Sequence, residues 1–336
     1  MVNKVDIIIP VYNAPEYTRR CIASLYEHVS KYIHKLIIYD DASDNETAKM
    51  LDDLDYPNIE IYHAKQNRGF GGTINKAVEY TSTEFILILN SDVFAKDDFL
   101  TPLLNAFKDN GKLAAVNPVP KRTHKYDNCE SKNGCVTTFT LSGYAFLIKR
   151  NIFVEVGMFD LVFGRGYFED TALARELAQS GCETGVCPES ILEHALSQSF
   201  TSSERQELYK KNSVVFRKKY PDASRAVLLL NRNMSISTVP EVMLNQIDRI
   251  TSMGGKVYYS GKNDELLPNY GVKYVNNSFF SLLLFVNRKL VRGYKRPNSK
   301  ITDVVIGEND KSLIAVIIGF LAKKCNLPLC TGFIKK

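Results

Sequence analysis

The sequence contains no apolar run approaching the ~18 residues needed to cross a bilayer, no tryptophan, and no charged leader ahead of a long apolar core. Its opening, MVNKVDIIIPVYN, reads as a short strand entering a turn, so no signal peptide is expected and the protein is placed in the cytosol. Seven cysteines, an odd number, then read as reduced thiols rather than a disulfide framework. The pairs Cys129/Cys135, Cys182/Cys187 and Cys325/Cys330 lack zinc-ligand spacing and a neighbouring His pattern. The GFGG at 69–72 has neither the P-loop lysine nor the spacing of the dinucleotide fingerprint, which sets aside ATPase and dehydrogenase readings. A formal charge of +6 is mild. It suits anionic ligands but is not distributed as in a nucleic-acid binder, so no nucleic-acid partner is expected.

What is present is alternation. With 336 residues, the chain is long enough for two domains, each burying its own core. Its first two hundred residues alternate short apolar runs with helical patterns, as βαβ units and a parallel sheet require. KVDIIIPVYN, HKLIIYDDASD and IEIYHAKQNRGFGG each read as a strand finishing in a polar loop, and right-handed crossovers put those loops on one edge of the sheet. The segment 113–150 reads as irregular strands around a polar loop, and 202–221 as a charged helix. Pro221-Asp222 marks a boundary, giving a first domain over 1–221 and a smaller Rossmann-like α/β domain over 222–336, where the alternation restarts. Two apolar stretches in the second part, 278–296 and 312–324, end in basic residues. They suit either packing inside an α/β domain or interfacial helices at the inner face of the plasma membrane.

The stretch EFILILNSDVF carries the most chemistry. Phe85 to Leu89 form an apolar run suited to an interior strand with both faces covered, and it ends in Asn90, Ser91 and Asp92. Ligands in open α/β sheets bind at such carboxyl ends. The plain alternative is a turn that caps the following helix. For a nucleoside-diphosphate donor, Asp40 or Asp41 with Arg68 would meet the base, and Gly69, Gly71 and Gly72 would let backbone approach the phosphates. A divalent cation on Asp92 would neutralise the leaving diphosphate. Glu169-Asp170, opening a helix after a Gly/aromatic loop, would supply a base for an acceptor hydroxyl, unless Asp170 is only a cap. His194 is either a satisfied histidine or a metal ligand.

Six blocks, among them IIIPVYNAPEYTRRCIASL, YDDASDNET, NRGFGGTINKAVEYTSTEFILILNSDV and GMFDLVFGRGYFEDTALARELAQSG, resemble in order and spacing the inverting nucleotide-sugar glycosyltransferases of family 2. The resemblance covers about residues 4–215 and points to bacterial enzymes that build lipopolysaccharide, capsule or other surface glycans, some of them rhamnosyltransferases. It implies a GT-A fold, with a Rossmann-like, mostly parallel central sheet. It further implies that Pro10, Tyr12 and Asn13 lie against the nucleoside, Asp40 or Asp41 contacts the base, and Arg68 and Gly69 contact base and phosphate. Asn75 would support that loop. Asn90-Ser91-Asp92 would be the metal-binding DXD element, holding Mg²⁺ or Mn²⁺ through Asp92 and His194. Asp170 would be the catalytic base with Glu169 beside it. The implied partners are a UDP- or dTDP-sugar donor and a glycan or lipid-linked glycan acceptor.

The pattern also departs from the family. Asn90 stands where the DXD element has its first carboxylate, and Ala172 where many relatives carry another Asp. Without tryptophan there is no QxxRW motif, which argues against a processive synthase. The tail, TDVVIGENDKSLIAVIIGFLAKKCNLPLCTG above all, is similar to the acceptor-side, N-terminal half of family 4 GT-B glycosyltransferases. It reads as part of a second such enzyme or as an accessory domain. The expected function is thus metal-dependent, inverting sugar transfer. A noncatalytic sugar-nucleotide-binding or scaffolding subunit is the alternative, and a nucleotidyltransferase the third reading.

Overall fold

A computed structural model describes residues 3–195, 202–232, 234–262, 266–286, 288–289, 301–306, 312–325 and 327–331. The chain divides into two compact units. One comprises Met1–Tyr126 and Ser131–Lys218, the other Lys219–Lys336 together with Asp127–Glu130.

The first unit is built on strands β1 (Val5–Val11), β2 (Ile33–Asp40), β3 (Ile59–His63) and β4 (Phe85–Leu89), with helices α1 (Pro15–Val29), α2 (Asn45–Asp52) and α3 (Gly69–Ala77) between them. A short β5 (Val93–Phe94), α4 (Leu100–Ala106), β6 (Leu113–Val119), β7 (Val136–Thr137), β8 (Ala145–Lys149) and α5 (Arg150–Glu155) follow. Helix α6 (Glu169–Gln179), β9 (Glu183–Ile191), β10 (Glu193–His194) and α7 (Ser202–Lys219) complete it. Eight strands form one sheet in the order β3-β2-β1-β4-β8-β6-β9-β7. β1 to β4 run parallel, whereas β8 is antiparallel to both its neighbours. The sheet is therefore mixed but mostly parallel in the half that begins the chain.

Side-chain alternation explains why the central strands are apolar throughout. Ile7, Ile9, Leu87 and Leu89 pack on one face with Ile22, Leu25 and Leu103 of α1 and α4. Ile8, Ile86 and Ile88 pack on the other with Ile74, Phe153 and Leu177 of α3, α5 and α6. Each such side chain contributes about 1.5–3 kcal/mol by leaving water. The one charge inside β1, Asp6, is fully buried. It is satisfied by the N–H groups of Ser82 and Thr83 and by His34 Nδ1 at 2.8 Å. Burial alone would raise its pKa, but these partners outweigh it and hold the carboxyl below its ordinary range.

The segment 113–150 supplies β6 and β8 to the sheet, β6 pairing with β9 through register shifts at Leu113/Ala115 and Asn117/Val119, and one local reading is corrected. The glycines of GFGG lie within the first turn of α3 rather than in a loop before it. Gly71 and Gly72 are there for packing: a Cβ on either would come within 3.0 Å of Phe159 or Arg68 side-chain carbon.

The second unit has its own sheet. β11 (Ala226–Leu230), β12 (Lys256–Ser260), β13 (Val272–Tyr274), β14 (Asp303–Ile306) and β15 (Leu329–Thr331) are all parallel, in the order β13-β12-β11-β14-β15. Helix α8 (Glu241–Ser252) covers one face through Met243 and Ile247. Helices α9 (Phe279–Val286) and α10 (Leu313–Lys324) cover the other. The 278–296 stretch is described only to Val286 and at 288–289. No helix among the described residues is long and apolar enough to cross a membrane.

Candidate active site

The carboxyl ends of β1, β2 and β4 open onto a cavity of about 660 Å³ in the first unit. That volume suits a small-molecule ligand. Pro10 and Tyr12 reach it from the end of β1, Asp41 from β2, and Asn90, Ser91 and Asp92 from β4. Gly69 reaches it from the start of α3, Glu169 and Asp170 from α6, and His194 from β10. Sequence positions as far apart as 10 and 194 thus meet around one space.

His194 arrives through the two-stranded pairing of β10 with β5, in which His194 lies opposite Val93 and Glu193 opposite Phe94. The Ala195 N–H donates to the carbonyl of Asp92 at 3.1 Å, extending that pairing. As a result His194 Nε2 sits 3.3 Å from Asp92 Oδ1, and its ring stacks on Tyr144 at 5.1 Å between centroids. Asn90 Oδ1, Asp92 Oδ2, His194 Nε2 and Glu169 Oε2 are all buried without a hydrogen-bond partner. Buried polar atoms are normally paired, so four orphans around one cavity mark where a ligand or ion belongs. The Asp92–His194 pair offers one carboxylate oxygen and one imidazole nitrogen, a donor set suited to a hard or borderline divalent cation. Among the described residues no group of three His, Cys, Asp or Glu could hold a metal.

Glu169 and Asp170 begin α6, where the helix dipole favours negative charge. Their surroundings differ. Asp170 Oδ2 accepts the Gly143 N–H at 2.8 Å, and Oδ1 accepts the Thr171 N–H at 2.6 Å and the Thr171 hydroxyl at 3.1 Å. Glu169 is 9% exposed, and its Oε2 has no partner. Burial, with the Asp170 charge adding to it, pushes the Glu169 carboxyl up to about 8. Burial also raises Asp170, against the Gly143 and Thr171 donors that pull it down. Two adjacent carboxyls in a buried site do not both ionise readily, and the Gly143 and Thr171 donors favour the charged form of Asp170, whereas Glu169 Oε2 has no such donor.

Four residues singled out in the sequence lie elsewhere. Asp40 is the last residue of β2, and its carboxylate accepts the Ser43 N–H and lies 2.7 Å from His63 Nδ1. Asn13 Oδ1 accepts the Asp44 N–H. Asn75 clamps the far loop, donating to the Phe159 carbonyl at 2.8 Å and accepting its N–H at 3.0 Å. Arg68 enters through its backbone: the N–H groups of Arg68 and Gly69 donate to Asp41 at 2.7 and 2.9 Å. Asp41, not Asp40, therefore ties the glycine turn to the sheet edge.

The structure adds residues that the sequence pattern did not mark. Tyr144, Arg165, Tyr167 and Tyr209 also line the cavity. The loop before α6 is strained, with Tyr167 at φ 69° and Phe168 at φ 77°, a region bulky side chains avoid. Asn212 of α7, 1% exposed, holds that loop by donating to the carbonyls of Phe163 and Gly166 at 2.7 Å and of Tyr167 at 3.2 Å. Tyr209, one turn earlier on α7, packs its ring against Tyr167 and Phe168. A charged helix offers no sequence signal for such a strut, since the single Tyr and single Asn of α7 look like solvated positions.

The first unit has the Rossmann-like α/β fold of the GT-A type. Within it, residues 6–163 match the family model described as Glycosyl transferase family 2. The match stops short of Glu169, Asp170 and His194. A poly-beta-1,6-N-acetyl-D-glucosamine synthase of Staphylococcus epidermidis is 25% identical over 177 residues, covering 47% of this chain and 42% of that protein. The chain thus spans less than half of that curated relative. Among solved structures, a mannosyltransferase of Pyrobaculum calidifontis in complex with GDP-Man and Mn²⁺ aligns with TM-score 0.50 and 19% identity, over 61% of this chain and 60% of that one. GalNAc-T7 with UDP, GalNAc and Mn²⁺ aligns with TM-score 0.55 and 15% identity, over 65% and 48%. At these identities the two structures speak for the fold alone.

Proposed function

We propose that the first domain transfers a sugar, with inversion, from a UDP- or dTDP-linked donor to a hydroxyl of a glycan or lipid-linked glycan intermediate of a bacterial surface polysaccharide. The observation that carries this reading is the common cavity: Asp92 with His194, and Asp170 with Glu169, line the same space. A donor lying across the ends of β1 and β4 would put its nucleoside against Pro10 and Tyr12 and its diphosphate toward Gly69 and Arg165. Asp92 and His194 would hold Mg²⁺ or Mn²⁺, whose charge would offset that developing on the leaving diphosphate. Both aligned proteins were solved with Mn²⁺, which makes that ion the first to test.

Asp170 acts as the base. It takes the proton of the acceptor hydroxyl while that oxygen attacks the anomeric carbon on the face opposite the leaving group. Its N–H donors from Gly143 and Thr171 fix its orientation, and its raised pKa makes it a stronger base than an exposed carboxylate. Protonated Glu169 adds no second charge beside it. Tyr167 and Tyr209 offer flat faces for an acceptor sugar next to Asp170. The second unit, whose sequence resembles the first half of a family 4 enzyme, is read as an acceptor-side or accessory domain. We place the enzyme in the cytoplasm, where nucleotide sugars are made.

Asn90 in the metal element favours one rival, a noncatalytic sugar-nucleotide-binding subunit, because one anionic ligand is missing. Release of nucleoside diphosphate from a panel of UDP- and dTDP-sugars, in the presence of Mn²⁺ and hydroxyl acceptors, separates the two. Transfer that is lost in Asp170→Asn while nucleotide affinity survives supports the enzyme. Nucleotide binding with no turnover in the unaltered chain supports the rival.

A further inference from the structure

The short connection 142–144, which leads into β8, joins the two halves of the cavity. On one side the Gly143 N–H donates to Asp170 Oδ2 at 2.8 Å. On the other, the Tyr144 carbonyl accepts the Asn90 N–H at 2.9 Å, and the Tyr144 ring stacks on His194 at 5.1 Å between centroids. A displacement of this connection would reach Asp170 and the Asn90–Asp92 element together. Packing holds only part of it. Tyr144 is buried, but Ser142 is exposed and Gly143 has no side chain, so the stretch beside Asp170 has no anchor in the core.

The anchor comes from β6. Asn117 is the only polar side chain of that strand, which is buried at every position, and it is itself 2% exposed. Its Nδ2 donates to the carbonyls of Ser142 at 2.8 Å and Ala145 at 2.6 Å, and its Oδ1 accepts the Ser142 N–H at 3.3 Å. A carboxamide in an apolar strand is costly unless it is paired, and this one gives all three bonds to the connection and the residue after it. Backbone pairing of β6 with β8 covers Ala115 and Val116, opposite Ile148 and Leu147. Beyond them comes Pro118, which has no N–H to give a ladder, and the Asn117 side chain makes the next links instead. The Tyr144 hydroxyl adds one more tie to β6, donating to the Pro118 carbonyl at 2.8 Å.

We propose that Asn117 is a positioning residue for the transfer reaction: by clamping the connection 142–144 it keeps the Gly143 N–H on Asp170 and Tyr144 against His194 and Asn90. Asn117 is not among the residues that line the cavity, so it acts through the connection alone. In taking Asp170 as the base, the proposal rests on the transferase reading, whereas the hydrogen bonds do not. Burial raises the Asp170 carboxyl, and the Gly143 N–H is the strongest of the donors that pull it back. Losing that donor raises it further, because a donor favours the charged form. The other groups that face Asp170, the Thr171 N–H and hydroxyl and the Glu169 carboxyl, belong to α6 and make no bond to Asn117.

Carbon-13 NMR of the full chain labelled at its aspartate carboxyls tests this without any substrate, the Asp170 signal being assigned by its loss in Asp170→Asn. In Asn117→Ala the Asp170 titration midpoint should move up by about one pH unit, the equivalent of one charge-assisted hydrogen bond. Turnover of that variant should show kcat lower by about tenfold or more, with nucleotide affinity little changed. Asn117→Ser keeps one donor and should fall between the two; it carries the test if the alanine variant does not fold, as thermal unfolding will tell. A residue that only stabilises the sheet would lower the unfolding temperature and leave the Asp170 midpoint in place, and that result overturns the proposal. So does a shifted midpoint with kcat unchanged in an active enzyme. A shifted midpoint in a chain that has no turnover even when unaltered would instead remove the transferase reading and leave the clamp on Asp170 standing.

Discussion

At the scale of single residues, the site turns on which of two neighbouring acids does what. Asp40 and Asp41 cannot be told apart in the sequence. The register can: Asp40 pairs with Val11 on one side and His63 on the other as the last residue of β2, and its carboxylate is taken by His63. Asp41, one residue on, makes the last backbone bond to β1, its N–H donating to the Val11 carbonyl at 2.8 Å, and its carboxylate ties down Arg68 and Gly69. Glu169 and Asp170 are divided in the same way by their donors. Because Glu169 keeps its proton up to about pH 8, its ionisation above that pH would put a second negative charge beside Asp170 and the donor diphosphate. We expect turnover to fall above about pH 8 in the unaltered protein and to stay level there in Glu169→Gln, as read from kcat/KM profiles. Stability carries the same sign. An unfolded Glu loses its proton near pH ~4.3, while the folded one keeps it to about 8, so stability declines as pH rises across that window. Urea titrations at both ends of the window should show a smaller decline for Glu169→Gln.

At the scale of elements, helix α7 braces the loop that leads into the carboxylates, and strand β9 packs closely against β7. Asn212 satisfies three loop carbonyls that include the positive-φ Tyr167. Asn212→Ala would leave buried carbonyls unpaired, at about 1–3 kcal/mol. The loop would relax, and kcat should fall with nucleotide affinity little changed, measured by turnover and by calorimetric titration of the nucleotide. Strand β9 passes so close to β7 that a Cβ on Gly185 would collide with Cys135 Sγ and come within 3.0 Å of the Val136 carbonyl. Gly185→Ala should therefore cost about 1–3 kcal/mol through overpacking, visible as a lower midpoint in thermal unfolding. The elements themselves were legible where the pattern was local. Phe85–Leu89 reads as an interior strand because both its faces are buried, and Asn90–Asp92 as its ligand-facing end. β8 was harder to read, because an antiparallel strand in a mostly parallel sheet depends on partners 60 residues away, Phe85 to Leu89.

At the scale of the whole molecule, two sheets with separate cores make two stability units. A nucleotide sugar with Mn²⁺ that binds in the first cavity should raise the unfolding transition of the first unit alone, by about 2.7 kcal/mol at a hundredfold excess over Kd. Differential scanning calorimetry would show one transition moving and the other standing still. A shift of both together would mean that the two cores unfold as one.

The amino-acid sequence by itself determined the α/β alternation, the carboxyl-edge position of Asn90–Asp92, the helix that opens with Glu169-Asp170, and the concentration of positive charge toward the end of the chain. Each of these is carried by neighbouring residues, through hydrophobic period, capping and composition. Only the tertiary structure decided that His194 meets Asp92, that Asp41 rather than Asp40 faces the cavity, and that Asn212 braces the loop before the carboxylates. Those are encounters between distant segments, and they follow from strand register and crossover packing, which no local pattern of side chains encodes.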